Sequence, residues 1–124
     1  MTKLIPALTA LAFAATAAVS FSAPVNAAAS FDGNWSVLIV TEKGTCDRAY
    51  RYPVKIDNGS VGYAGSASFT VSGRVQPTGA VTVTVARGSQ SANGSGRMNG
   101  SDGSGRWQTA GGECSGSWTA ERRS

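Results

Sequence analysis

Gly33-Asn34-Trp35-Ser36-Val37-Leu38-Ile39-Val40-Thr41, read as a pleated strand, puts Trp35, Val37 and Ile39 on one side and Leu38 and Val40 on the other. It alone is apolar on both faces. Every later segment is apolar on one side only, with Ser, Thr or Arg on the other. A strand of this kind needs neighbours on both edges and some cover on its outer face. The remaining chain is read as arranged around it.

Upstream, Met1-Thr2-Lys3 is a short basic start, Leu4 to Phe21 is a run of apolar and small residues, and Ser22 to Ala27 is a small-residue ending. Val25 and Ala27 stand where a signal peptidase reads its site. The pattern predicts a cleaved export signal over 1–27, a mature domain over 28–124, and a periplasmic or secreted location. A membrane anchor fits less well, because Pro6 and several Thr and Ser residues break the run and no basic stop-transfer flank follows. No transmembrane segment is therefore expected. Residues 28–124 suffice for one domain with a small core.

Eleven basic residues against seven acidic ones give a net charge of +4. Lys3 falls within the signal and the others are spread along the chain. That balance points to a solvated surface, and no nucleic-acid partner is expected. The two cysteines, Cys46 and Cys114, in an exported chain without histidine predict one disulfide rather than a metal site or a catalytic thiol. A closed loop of roughly 70 residues is worth about 4 kcal/mol in the chain-entropy model, comparable with the whole stability of so small a domain.

Downstream of Thr41 no window repeats apolar residues at 3.6, whereas alternation at period two recurs throughout. Ala49 to Asp57 forms a second strand with Tyr50, Tyr52, Val54 and Ile56 inward, and Pro53 at an outer position predicts a bulge or an irregular start. Asn58-Gly59 is a two-residue turn that pairs Ile56 with Val61 and Val54 with Tyr63. Gly65-Ser66-Ala67 is read as the next turn, setting Tyr63 opposite Phe69. Pro77-Thr78-Gly79 then pairs Val75 with Val81 and Gly73 with Val83. Val81, Val83 and Val85 alternate with Thr82 and Thr84 as a half-buried strand.

After a turn at Gly88-Ser89 a repeat emerges. Ser72-Gly73-Arg74-Val75, Ser95-Gly96-Arg97-Met98 and Ser104-Gly105-Arg106-Trp107 share one pattern, and Ser115-Gly116-Ser117-Trp118 keeps it without the arginine. Turns at Gly100-Ser101 and Gly111-Gly112 set Trp107 opposite Gly94 and Gly116, and Trp118 opposite Gly105. Large rings over glycines recover packing where a sheet bends sharply, as a small barrel requires. The alternative, a flexible Gly/Ser linker, is opposed by the placed tryptophans, the cysteine between them and the preserved inner face.

The count comes to about eight strands joined by short connections, giving an all-β fold: a small antiparallel up-and-down barrel. In such a meander Cys46, after strand one, and Cys114, at the start of strand eight, lie at the same end. They can bond if strand eight lies beside strand one, which also closes the barrel.

Gly33-Asn34-Trp35, with Arg122 inward on the last strand, resembles the calycin superfamily of small barrels, which includes lipocalins, avidins and bacterial metalloprotease inhibitors. The resemblance implies that Trp35 lies across one end of the barrel under Arg122. In size and export the chain is most similar to the inhibitor branch, where a cysteine also follows the Gly-x-Trp strand. That branch implies a periplasmic inhibitor whose amino-terminal tail enters a zinc cleft. Here Cys114 comes later than the branch's second cysteine, and the expected tail, Ala28 to Asp32, is short. The chain also resembles small exported proteins of alphaproteobacteria, which implies no particular activity.

No catalytic constellation emerges: histidine is absent, the thiols are expected to be paired, and no two carboxylates share an inner face. No enzyme activity, cofactor or metal is expected. Asp47 beside Arg48 and Glu42 beside Lys43 are read as solvated loop pairs. Two features bear on binding. Tyr50, Tyr52, Tyr63, Trp107 and Trp118 either fill the core or line a ligand site. Leu38 and Val40, with Arg74, Arg97 and Arg106 on outer faces, form a candidate partner surface for another protein, a protease or an envelope component. The expected function is a non-enzymatic exported binding or interaction protein, monomeric or weakly dimeric through strand one. The alternatives are a metalloprotease-inhibitor-like protein and a carrier of a small hydrophobic ligand.

Overall fold

The computed structural model describes residues 29–124, so the expected export signal and its cleavage point lie outside the described residues. A short 3-10 turn over Ala29–Phe31 leads into β1 (Gly33–Lys43), β2 (Ala49–Asp57), β3 (Ser60–Tyr63), β4 (Thr70–Val75), β5 (Ala80–Arg87), β6 (Gln90–Asn99), β7 (Asp102–Thr109) and β8 (Ser115–Arg122). Each strand pairs with the next, and β8 returns to β1 to close an antiparallel barrel of eight strands. Closure leaves no full-length sheet edge exposed.

The tight turns set the registers. Asn58 and Gly59 adopt positive φ of 51° and 79°, the conformation a two-residue hairpin turn demands, and Ile56 faces Val61 while Val54 faces Tyr63. Gly79 at φ 94° closes the loop that sets Val75 opposite Val81. Trp107 lies opposite both Gly94 and Gly116, and Trp118 opposite Gly105.

Two local expectations are corrected. Pro53 causes no bulge: β2 runs against β1 in unbroken register from Ile56 to Ala49, with Pro53 opposite Ser36. In an antiparallel strand the N and C=O of one residue point to the same side, and the Pro53 carbonyl accepts from Ala64 N–H, just past the end of β3. The missing proline N–H thus faces a place where the ladder has already ended. The second correction concerns the turn after Tyr63. The pairing of Val61 with Gly73 and Gly62 with Ser72 carries the connection from Ala64 to Phe69, so Phe69 lies before β4 and is not paired with Tyr63.

The core is the barrel interior. Trp35, Val37, Val54, Ile56, Val61, Val71, Val75, Val81, Met98, Trp118 and Ala120 are buried there. The outer residues Thr82, Thr84, Arg97 and Arg106 are exposed. This polarity is the reverse of a transmembrane barrel, whose outer belt is apolar. No helix among the described residues is long and apolar enough to cross a membrane. Cys46 and Cys114 form a disulfide with Cα atoms 6.2 Å apart, tying the β1–β2 loop to the start of β8.

Candidate functional site

The two ends of the barrel differ because different side chains are available to close them. At the end where β1 begins and β8 finishes, the Arg122 guanidinium lies 5.0 Å from the Trp35 ring centroid. It donates hydrogen bonds to the carbonyls of Asp32 (3.1 Å), Gly100 (3.3 Å) and Ser30. Trp35 Nε1 donates to the Phe31 carbonyl at 2.8 Å, and Asp32 accepts from Asn58 N–H at 2.8 Å. Phe31 is itself buried. Residues 30–32, expected to belong to a free tail, are therefore fastened across this end as a plug.

The opposite end carries the loops 44–48, 64–69 and 110–114 and the Gly88-Ser89 turn. Inward-facing residues near it, Ile39, Tyr52, Tyr63, Val83, Val85 and Trp107, are only partly buried, whereas Trp35 at the plugged end is 1% exposed. Among the described residues the interior is therefore more open at this end. Beneath it lies a cavity of ≈ 170 Å³, lined by Ile39, Tyr52, Val83, Val85, Ala92, Gly94 and Trp107 towards the mouth and by Trp35, Ile56, Met98, Trp118 and Ala120 deeper in. Among the described residues no charged side chain lines it.

Glycines make the room. Trp118 lies across β6 and β7, its ring close to the Cα positions of Gly96, Gly103 and Gly105, and its Nε1 donates to the Ser95 carbonyl at 3.2 Å. Trp107 Nε1 is shared between the carbonyls of Val40 and Ser117, each at 3.1 Å. Both indoles thus have their polar atoms satisfied by backbone and present ring carbon to the interior.

The rim of the mouth is aromatic. Phe69 stacks on Tyr52 at 6.3 Å and 20°, meets Tyr63 edge-on at 5.6 Å and Tyr50 at 5.7 Å. It occupies the stretch of wall where β3 has ended and β2 continues. The Arg87 guanidinium lies 5.3 Å above the Phe69 ring. Burial, with the neighbouring Tyr50 phenol adding to it, pushes the Tyr52 hydroxyl up to about 12, so that group is neutral at ordinary pH. Across the mouth the Glu113 carboxyl is held below its usual range by a hydrogen bond from Thr109.

Of the five inward aromatics singled out from sequence, Tyr52, Trp107 and Trp118 line the cavity and Tyr63 packs against the core. Tyr50 stands outside, 38% exposed at the rim. Phe69 and Arg87 were missed, although Arg87 continues the inward alternation of Val81, Val83 and Val85. The candidate partner surface is brought together only in part: Arg106 and Val40 both lie opposite Ser117 on the outer face, beside Leu38, while Arg74 and Arg97 lie elsewhere. Leu38 and Val40 are half-buried between β2 and β8, Leu38 lying opposite Arg51 and Thr119. Arg51 on β2 reaches across to β1 and donates to Ser36 Oγ at 2.9 Å. Arg74 and Arg97 lie on β4 and β6, which flank β5 on the far side of the barrel from β1. Arg106 is engaged with Glu42 at 2.7 Å in an exposed pair.

Among the described residues no three His, Cys, Asp or Glu side chains are grouped so as to hold a metal ion. In comparisons with known proteins, no family model matches this chain and no curated protein matches it.

Proposed function

We propose that this is a non-enzymatic binding protein that takes a small apolar molecule into the barrel through its aromatic mouth. The observation that carries this reading is the ≈ 170 Å³ apolar cavity beneath half-exposed ring and aliphatic side chains. A cavity of about 150 Å³ with comparable walls stays dry and accepts benzene, so a single ring or a short alkyl chain is the right size. The carrier reading thereby gains over an interior filled by its own side chains. The disulfide fits an oxidising compartment such as the periplasm or the extracellular space. The metalloprotease-inhibitor reading needs a free amino-terminal arm, and the fastening of residues 30–32 to Arg122 weighs against it.

The test uses 1-octanol and Gly94→Leu. A Cβ on Gly94 would meet nothing closer than 3.6 Å, so the larger side chain enters the cavity without displacing backbone. Calorimetric titration is expected to show octanol binding to the native protein and none to a folded Gly94→Leu variant. Equal binding by both, or binding by neither, overturns the proposal.

A further inference from the structure

We infer that the molecule held in the barrel is an acidic amphiphile whose anionic head is bound at the mouth by Arg87; this rests on the cavity-binding reading above. The alternation that points Val81, Val83 and Val85 inward continues to Arg87, the last residue of β5. Arg87 therefore stands above Val85, which lines the cavity, and opposite Gln90 on β6. Its guanidinium rests on Phe69, and Phe69 stacks in turn on the cavity-lining Tyr52. A continuous path thus runs from the apolar interior to an exposed cation.

The cation is uncommitted. The ion pairs among the described residues are Arg106 with Glu42 and Arg123 with Glu121, and among them the Arg87 guanidinium makes no ion pair or side-chain hydrogen bond and rests on the Phe69 ring. The other charged residues in the loops at this end do not neutralise it. Glu113, on the β7–β8 loop, is held by Thr109 at the end of β7, and Asp47 and Arg48 are adjacent opposite charges on the β1–β2 loop. These loops lie on the β1 side, across the mouth from β5.

Among the described residues no charged side chain lines the interior, whose lining carries a single hydroxyl, that of Tyr52, and burying a bare charge there is prohibitive. A ligand's ionised head must stay at the rim while its apolar part fills the cavity. At the rim an arginine favours a carboxylate or other oxyanion, which it can meet with two parallel N–H donors, and disfavours an ammonium group. Two residues of strand separate Val85 from Arg87, about 7 Å, so the head can reach the guanidinium while the first carbons of the chain enter the cavity.

Three probes with one chain length separate this inference from the reading beneath it: octanoate, 1-octanol and octylammonium, titrated calorimetrically at low salt. Octanoate is expected to bind roughly three- to tenfold more tightly than octanol, the range of a partly solvated charge-assisted contact, and octylammonium more weakly than octanol. In Arg87→Gln the octanoate-to-octanol affinity ratio should fall to near one, and Arg87→Lys, which keeps the charge, should retain part of it. Octanol binding with no octanoate preference, or a preference that survives Arg87→Gln, overturns the acidic-head inference and leaves the cavity reading standing. Binding of none of the three probes overturns both.

Discussion

Gly96 stands directly opposite Gly105 across the β6–β7 seam, the two backbones pressed together beneath one indole. A Cβ built on Gly96 would lie 2.7 Å from the Gly105 Cα and 2.7 Å from Trp118 Cζ2, and one built on Gly105 would lie equally close to the Gly96 Cα and Trp118 Nε1. Neither backbone nor packed indole can yield cheaply, so Gly96→Ala and Gly105→Ala should each destabilise by about 1–3 kcal/mol. A Cβ on Gly94, on the same strand, would make only ordinary contacts at 3.6 Å or more, and Gly94→Ala should be neutral or stabilising by up to about 1 kcal/mol. Urea midpoints at constant slope will rank the three variants.

The Cys46–Cys114 bond closes a loop with a sequence separation of 68. Its removal in the double variant Cys46→Ala/Cys114→Ala should cost roughly 4 kcal/mol on the chain-entropy model. Intact mass of the non-reduced protein before and after thiol alkylation checks the bond, and denaturation with and without reductant checks its worth. Labelling of both thiols without reduction would remove the covalent tie between the β1–β2 loop and β8.

Arg122 does more than face an indole, which alone would be worth about 1 kcal/mol. It also holds the carbonyls of Asp32, Ser30 and Gly100, so Arg122→Ala should cost more, about 2–3 kcal/mol. Because the lost partners lie in the plug, proteolysis near residues 29–32 should accelerate more than cleavage elsewhere. A uniform rise in cleavage along the chain would instead indicate a general loss of stability.

Alkaline stability should depend on Tyr52, whose hydroxyl is raised from 10.0 to about 12 by burial and by Tyr50. Between these values the unfolded chain releases the proton while the folded one keeps it. Stability is therefore full below pH 10 and is lost as the pH rises towards 12. In Tyr52→Phe that part of the decline should disappear, and unfolding midpoints across pH 9–12 will show it.

Most of the barrel was legible because tight turns leave few choices: Asn58-Gly59 or Gly100-Ser101 fixes a register, and one register per hairpin fixes the inner face. The link between β3 and β4 was not legible in the same way. Gly65-Ser66-Ala67 has turn composition, but the chain spends Phe69 on the aromatic cluster, which no alternation rule records. Pro53 read as an irregularity because sequence does not say on which side the neighbouring strand stops. The site was half legible. Inward parity found Tyr52, Trp107 and Trp118 and, carried one step beyond Val85, would have found Arg87. The cavity itself could not be read, since its volume depends on how far the tryptophans settle onto their glycines.

The seam between β1 and β8 pairs Trp35 with Arg122, nearly the two ends of the described chain. A ladder of such long sequence separation can form only after most of the loop-closure entropy has been met, which places this barrel among slow folders, on the order of milliseconds to seconds. The most apolar strand is made before the other seven and receives its last partner only once β8 has been made. Until then β1 carries an unpaired edge able to template another chain, so the step that completes the barrel is also the one that ends its exposure to aggregation.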